Sequence, residues 1–320
     1  MRLFFYCVLE LGIEDPDEPK DPETPHFIPA YSQKVKASKE FQTFQFDHSF
    51  VLNSLKSSME GYVFHNQPLD TDDLLEQTVK LFNSCKTSLE LFDMLHNMRA
   101  YDDSTYAHSL NVALICRRIG KWLKVDAATL DTLTLCGLLH DIGKLKIPDE
   151  ILNKPDKYTD EEFDLVKRHT KFGYELLKTL NIDPHIKKAA LLHHERCDGS
   201  GYPLKATQKD LDDFSMVVAI ADVYDAMTAA RSYRAPLCPF QVIERFEQEG
   251  LQKYKPKFIL TFLQHIASTY QNNRVLLSNG QSANIVMLNQ QHLARPIVQL
   301  NDNSCIDLST RLDLHIQSIL

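Results

Sequence analysis

Five of the thirteen histidines stand where a purely structural role is strained. His140 and Asp141 are adjacent at the end of an apolar helical run and are followed by Ile-Gly-Lys. His193 and His194 are adjacent at the end of another such run and open the string HHERCDGSGYP. By periodicity His169 falls on the inward face of its helix, and His108 lies one turn before Val112. Asp222 is embedded in MVVAIADVYDAM, where a lone ionised carboxylate would suffer a heavy desolvation cost. Taken singly, an inward histidine is more often a hydrogen-bonded core residue, and a buried aspartate is more often paired with arginine. Together, five imidazoles and two carboxylates in the apolar helices of one segment are hard to satisfy separately, and one shared metal centre satisfies them all. Imidazole nitrogen and carboxylate oxygen suit divalent ions of intermediate softness, iron or manganese.

Seven protein ligands are too many for one ion with open positions and suit two. A carboxylate can bridge two ions about 3.5–4 Å apart. Such a pair clamps a phosphodiester, activates a water held between the ions and stabilises charge at phosphorus. That chemistry is phosphoester hydrolysis. Redox or dioxygen chemistry on the same ligands is the competing use.

Helical elements must position these side chains, because helical periodicity dominates from about Thr71 to residue 271. Asp70 or Thr71 can cap a helix running through LLEQTVKLFNSCKTSLELFDMLHNM. A helix from near Ser104 carries His108, Leu110, Ala113, Ile115 and Ile119; another, about 128–140, ends in LCGLLH. The pair Thr159 and Glu162 is a capping box for a helix whose buried face would carry Phe163, Val166, His169, Gly173 and Leu176. Further helices are expected near 184–194, 214–229, 239–249 and 256–270. The tail changes character: RVLLS and ANIVML flank the turn-like NGQS, which predicts a small β appendage. Residues 14–25, with four prolines and many acids, read as an exposed linker. Residues 26–70 are mixed and aromatic-rich.

The 320 residues allow one large domain or two ordinary ones, and 43% hydrophobic with 24% charged residues is the composition of an ordered globular chain. A net charge of −8 disfavours a DNA- or RNA-binding protein, so a phosphate-bearing ligand must be drawn in by a local cluster of cations or metals. Seven scattered cysteines without a CxxC pair read as reduced thiols of the cytoplasm. The start of the chain lacks the long apolar run and cleavage site of a signal peptide, and no stretch approaches the length of a membrane span.

The motifs match a family. HDIGK at 140–144 resembles the HD-superfamily signature, and HHERCDGSGYP at 193–203 contains the HHExxDGxGYP string of the HD-GYP subfamily. His108 in YAHSLNV, His169 in VKRHTKFG, Asp222 in AIADVYDAMT and the arginines of RSYR extend the resemblance over about residues 76–270. It implies a mainly α, HD-superfamily helical bundle with catalytic residues 76–272, a short mixed N-terminal region (1–75) and a β-rich appendage (273–320). Members of that subfamily are phosphodiesterases of cyclic di-GMP, and some act on cyclic GMP-AMP. Carried across by motif, His108, His140, Asp141 and Asp222 would hold one ion and His169, His193 and His194 the other, with Asp141 bridging. Lys144 would lie beside the scissile phosphate, giving Asp141 and Lys144 the catalytic roles. Tyr202, Arg231, Arg234 and Lys144 would approach the dinucleotide, while Asp225 and Asp198 would support the ligands from behind. Gly199 and Gly201 would shape the loop.

Two positions depart from the pattern. Ser104 stands where members with three metals carry a glutamate, which favours two ions; Asp102 or Asp103 would substitute only with a shifted backbone. Ala230-Arg231-Ser232 replaces the common Asp-Arg-Pro, but the cationic residues survive. The competing function is a catalytically weak cyclic-dinucleotide sensor that signals to a partner protein. A second copy of the chain is the other candidate partner.

Overall fold

The computed structural model describes residues 30–98, 104–154, 156–229 and 237–320. Arg231, Arg234, Asp102, Asp103, Ala230, Ser232 and the acidic, proline-rich 14–25 stretch therefore lie outside the described residues. In chain order the helices are α1 (Ala30–Ala37), α2 (Lys39–His65), α3 (Thr71–Ser84), α4 (Ser88–Met98), α5 (Thr105–Trp122) and α6 (Ala127–Leu139). A 3₁₀ turn (Ile142–Lys146) and α7 (Asp149–Leu152) follow. Next come α8 (Asp160–Lys167), α9 (His169–Leu177), α10 (Pro184–Leu192), α11 (Asp213–Thr228), α12 (Pro239–Arg245), a π turn (Phe246–Gly250) and α13 (Pro256–Thr269). Strands β1 (Arg274–Leu277), β2 (Ser282–Met287), β3 (Ile297–Leu300), β4 (Cys305–Asp307) and β5 (Ile316–Ile319) close the chain.

Caps explain most helix starts. Ser104, Asp126 and Thr159 accept from the backbone three residues on, and Thr159 with Glu162 completes the expected capping box. Two long helices read from periodicity are each broken in the structure. The stretch from Thr71 divides at Cys85, whose backbone is extended, and Thr87 restarts it by accepting from Glu90 N while Glu90 accepts from Lys86 N. A T-x-x-E pair thus acts inside an apolar pattern that conceals it. The helix after Thr159 breaks at Arg168, and Leu177, not Leu176, joins His169 and Gly173 in the interior.

The aromatic-rich 30–65 stretch is helical, with Phe41, Phe44, Val51, Leu55 and Met59 of α2 buried. Its buried side chains belong to one apolar cluster that continues through α5, α6, α11 and α13 to Ile316 in β5. Trp122 ends α5 against Phe92 of α4 and stacks on His265 of α13. The β appendage is an antiparallel sheet in the order β4-β3-β2-β1-β5. Alternation buries Val275, Leu277, Ala283, Ile285, Val298 and Ile316 on one face, and Val275 pairs with Ala283 while Ile285 pairs with Val298. Arg295 fastens the sheet to α12 through Glu244 at 2.6 Å and to the carbonyls of Leu308 and Leu314.

Candidate metal centre

Backbone carbonyls orient the central histidines. Nδ1 of His140 lies 2.7 Å from Gly137 O, Nδ1 of His169 lies 2.8 Å from Val166 O, and Nδ1 of His193 lies 2.9 Å from Ala189 O. A carbonyl only accepts, so each Nδ1 carries the proton and each Nε2 presents a lone pair. His108 reaches the same state differently: its Nδ1 lies 2.8 Å from Asp225 Oδ2, three residues beyond Asp222 on α11. All these side chains are buried.

The seven residues read from the sequence converge into two groups, each with donor atoms within 4.8 Å of one another: His108, His140 and Asp222, and Asp141, His169, His193 and His194. Asp141 faces both. Its Oδ2 lies 3.2 Å from His140 Nε2 and 3.7 Å from His108 Nε2. Its Oδ1 lies 3.4 Å from His169 Nε2 and 3.7 Å from His193 Nε2. Lys144 Nζ approaches Oδ2 to 2.5 Å, and His108 Nε2 lies 3.0 Å from Asp222 Oδ1.

This packing has an electrostatic problem that a cation solves. The Nε2 atoms of His169 and His193 are 3.3 Å apart, and both are lone-pair atoms in the tautomer their carbonyl partners require. Two lone pairs at that distance repel unless a proton or a metal lies between them. His140 Nε2 and both Asp141 oxygens likewise lack a hydrogen bond of acceptable geometry despite their close charged neighbours. The donor set fits first-row divalent ions and can hold them.

Protonation agrees with that use. Burial pushes the His169 imidazole down to about 4, and burial holds His193 and His194 well below the ordinary range, so all three are neutral. Burial alone would raise Asp141, but its contacts with His140 and Lys144 outweigh it and keep the carboxyl well below the usual range. Asp222 is similar: burial raises it, and the bond and charge of His108 more than reverse that. Conversely, burial depresses His108 while Asp222 and Asp225 together raise it overall. The neutral imidazoles of His169, His193 and His194 beside ionised carboxylates are the protonation state that metal binding demands, whereas His108 would have to release the proton its two aspartates favour.

The Tyr202 loop closes over the second group. Tyr202 stacks on His194 with ring centroids 4.7 Å apart and meets His169 edge-on at 6.4 Å. Its backbone N–H donates to His194 O. Gly201 is obligatory here, since a Cβ would lie 2.4 Å from His194 O and 2.5 Å from Glu195 Cα. Gly143 plays the matching part under the 3₁₀ turn, where a Cβ would fall 1.9 Å from His169 O. Glu195 received no role from the sequence, yet it is buried and accepts from Leu204 N at 2.5 Å and Ala206 N at 3.0 Å, tying the loop to the HHE turn. Its signal was an acid directly after two inward histidines. Buried Arg196 donates to His193 O and Glu195 O and lies over Tyr254. Asp198 is not drawn to the centre: it is exposed and accepts from Ser200 within its own loop. Ser104 accepts from Ala107 N as the cap of α5.

A family model described as HD domain matches residues 73–258, more than half of the chain. The chain belongs to the HD domain family. Among known proteins it is 34% identical over 183 residues to a 3'3'-cGAMP-specific phosphodiesterase of Vibrio cholerae, covering 56% of this chain and 35% of that one. It is 32% identical over 207 residues to a cyclic di-GMP phosphodiesterase of Pseudomonas aeruginosa, covering 64% and 50%. A cyclic di-GMP phosphodiesterase of Thermotoga maritima is 35% identical over 178 residues, covering 55% and 48%. The matched stretch thus spans about a third to a half of these relatives' own lengths. The solved structure of an HDG"Y"P protein from Bdellovibrio bacteriovorus superposes with a TM-score of 0.50 at 19% identity, covering 74% of this chain and 78% of that one, a likeness of fold. Among the described residues, no helix is long and apolar enough to cross a membrane.

Proposed function

We propose that this HD-domain chain is a metal-dependent phosphodiesterase that opens a cyclic dinucleotide, with cyclic di-GMP as first substrate and 3'3'-cGAMP as second. One observation carries the reading: a single buried carboxylate, Asp141, turns one oxygen toward His108 and His140 and the other toward His169 and His193. That is the arrangement a bridging ligand needs between two adjacent cations, and a phosphodiester is the substrate such a pair clamps. The names of the relatives support the nucleotide class.

In this reading His108, His140, Asp141 and Asp222 hold one ion, and His169, His193, His194 and Asp141 the other, with iron or manganese as the pair. When bound, such ions supply Lewis acidity toward a phosphoryl oxygen and activate water for attack. The chain supplies the rest. Lys144 adds a buried positive charge beside Asp141, placed to stabilise negative charge developing at phosphorus. Asp225 fixes the tautomer of His108 through its Nδ1. Tyr202 covers His194, which places it to meet the nucleotide at the second ion group. Arg231 and Arg234 complete the phosphate and base contacts in the same proposal, as does a division into a 1–75 flank, a 76–272 catalytic unit and a 273–320 appendage. The cytoplasm, where cyclic dinucleotides act, is the proposed location.

The test is turnover. Protein loaded anaerobically with Fe(II) or Mn(II) is incubated with each cyclic dinucleotide, and products are separated by chromatography. Linear dinucleotide or mononucleotides are expected; tight calorimetric binding without product at any practical enzyme level overturns the enzyme and leaves a sensor.

A further inference from the structure

Helix α2 lies outside the stretch that matches the family model, yet its last two turns contact elements that carry the centre. Glu60 accepts from the Tyr106 hydroxyl at 2.9 Å, two residues before His108. Tyr62 donates to Leu176 O near the end of α9, the helix that begins with His169. Lys146 donates to Val63 O at 3.3 Å, and its ammonium lies 5.6 Å from the Phe64 ring. Lys146 is two residues beyond Lys144 on the 3₁₀ turn that Asp141 begins. At roughly 2 Å of rise per residue, Asp141 and Lys146 are about 10 Å apart along that turn.

Helix α2 leaves three phenylalanines exposed, Phe46, Phe50 and Phe64, and of these Phe64 is the one set beside the 3₁₀ turn through Lys146. Phe64 is 56% exposed, while Phe41 and Phe44 at the other end of the helix are buried. An exposed aromatic ring flanked by a lysine offers a π-face for a base and a cation for a phosphate oxygen. A cyclic dinucleotide held by one phosphate at the centre must place its remaining base and phosphate on nearby surface.

We propose that Phe64 and Lys146 form a stacking platform for the purine remote from the scissile phosphate, making α2 a specificity-determining element. The inference rests on the function proposed above. The experiment compares cyclic di-GMP with bis(p-nitrophenyl) phosphate, a phosphodiester too small to reach the platform, using the full-length metal-loaded chain. Phe64→Ala should lower the ratio of kcat/KM for cyclic di-GMP to that for the small diester by roughly tenfold, through KM, within the range that base–aromatic stacking spans. Phe64→Trp should restore the ratio, and Lys146→Ala should lower it less. An unchanged ratio in Phe64→Ala, or failure of Trp to restore it, overturns the platform and leaves the enzyme standing. A wild-type chain that opens neither cyclic dinucleotide overturns both.

Discussion

A carboxylate pressed between imidazole nitrogens on two sides has no oxygen left for solvent, so Asp141 can be neither removed nor moved without consequence for both groups. Asp141→Ala should abolish turnover and bound metal together, read by elemental analysis beside a product assay. Lys144→Ala should keep the metal while slowing turnover by roughly 10²–10³-fold, the usual loss for one charge-stabilising group. Equal metal loss in the two variants would refute their separate roles. Asp225 acts one step further out, on the Nδ1 of His108. Asp225→Asn should weaken metal affinity by about 10–100-fold with the fold intact, and a competition titration against a chelator measures it. An unaltered affinity would mean that His108 is oriented by its packing alone. At this scale the sequence was informative because charged and imidazole groups inside apolar helices are costly unless they share a purpose. Glu195 escaped because its partners are the backbone amides of Leu204 and Ala206, and a main-chain contact across a loop leaves no trace in side-chain types.

The elements depend on how closely backbones approach one another. The 3₁₀ turn after Asp141 touches the first turn of α9 so tightly that Gly143 has no room for a side chain. Gly143→Ala should therefore cost at least about 2 kcal/mol, as overpacking does, and should displace His169 from Asp141. Denaturant unfolding and metal content should fall together; a stable variant with full metal would show that the turn can shift freely. Helix existence was legible from spacing and caps, but the breaks at Cys85 and Arg168 were not. Apolar periodicity continues across both, so a short interruption leaves the pattern intact. The hidden T-x-x-E at Thr87 and Glu90 was the readable sign of the first break. The second break, at Arg168, has no such sign in the residue types around it.

At the scale of the molecule, one core joins the N-terminal helices to the sheet, and a buried acid records how α1 sits on it. The Tyr31 hydroxyl donates to Asp93 at 2.5 Å, and burial, opposed by that bond, raises the Asp93 carboxyl to about 6. Between its ordinary value near 3.8 and 6 the folded chain holds a proton that the unfolded chain has lost, so stability falls as pH rises through this window. Above it the buried charge costs about 2 kcal/mol once partial exposure is allowed for. Asp93→Asn cannot ionise and can still accept from Tyr31. Urea unfolding should show the variant gaining on wild type at pH 7.5 relative to pH 4.5; a pH-independent difference would refute the assignment. The sheet was legible as alternation, whereas the α-helical character of 30–65 was obscured by aromatic residues that suit either state.

The donors at the centre come from α5, the α6 boundary, α9, the end of α10 and α11, so the last of them, Asp222, is synthesised long after His108. A chain that ends short of α11 contains all five imidazoles and Asp141 but lacks the carboxylate that completes the first group. The second group is thus complete in sequence before the first, whose closure waits on a single residue of a later helix.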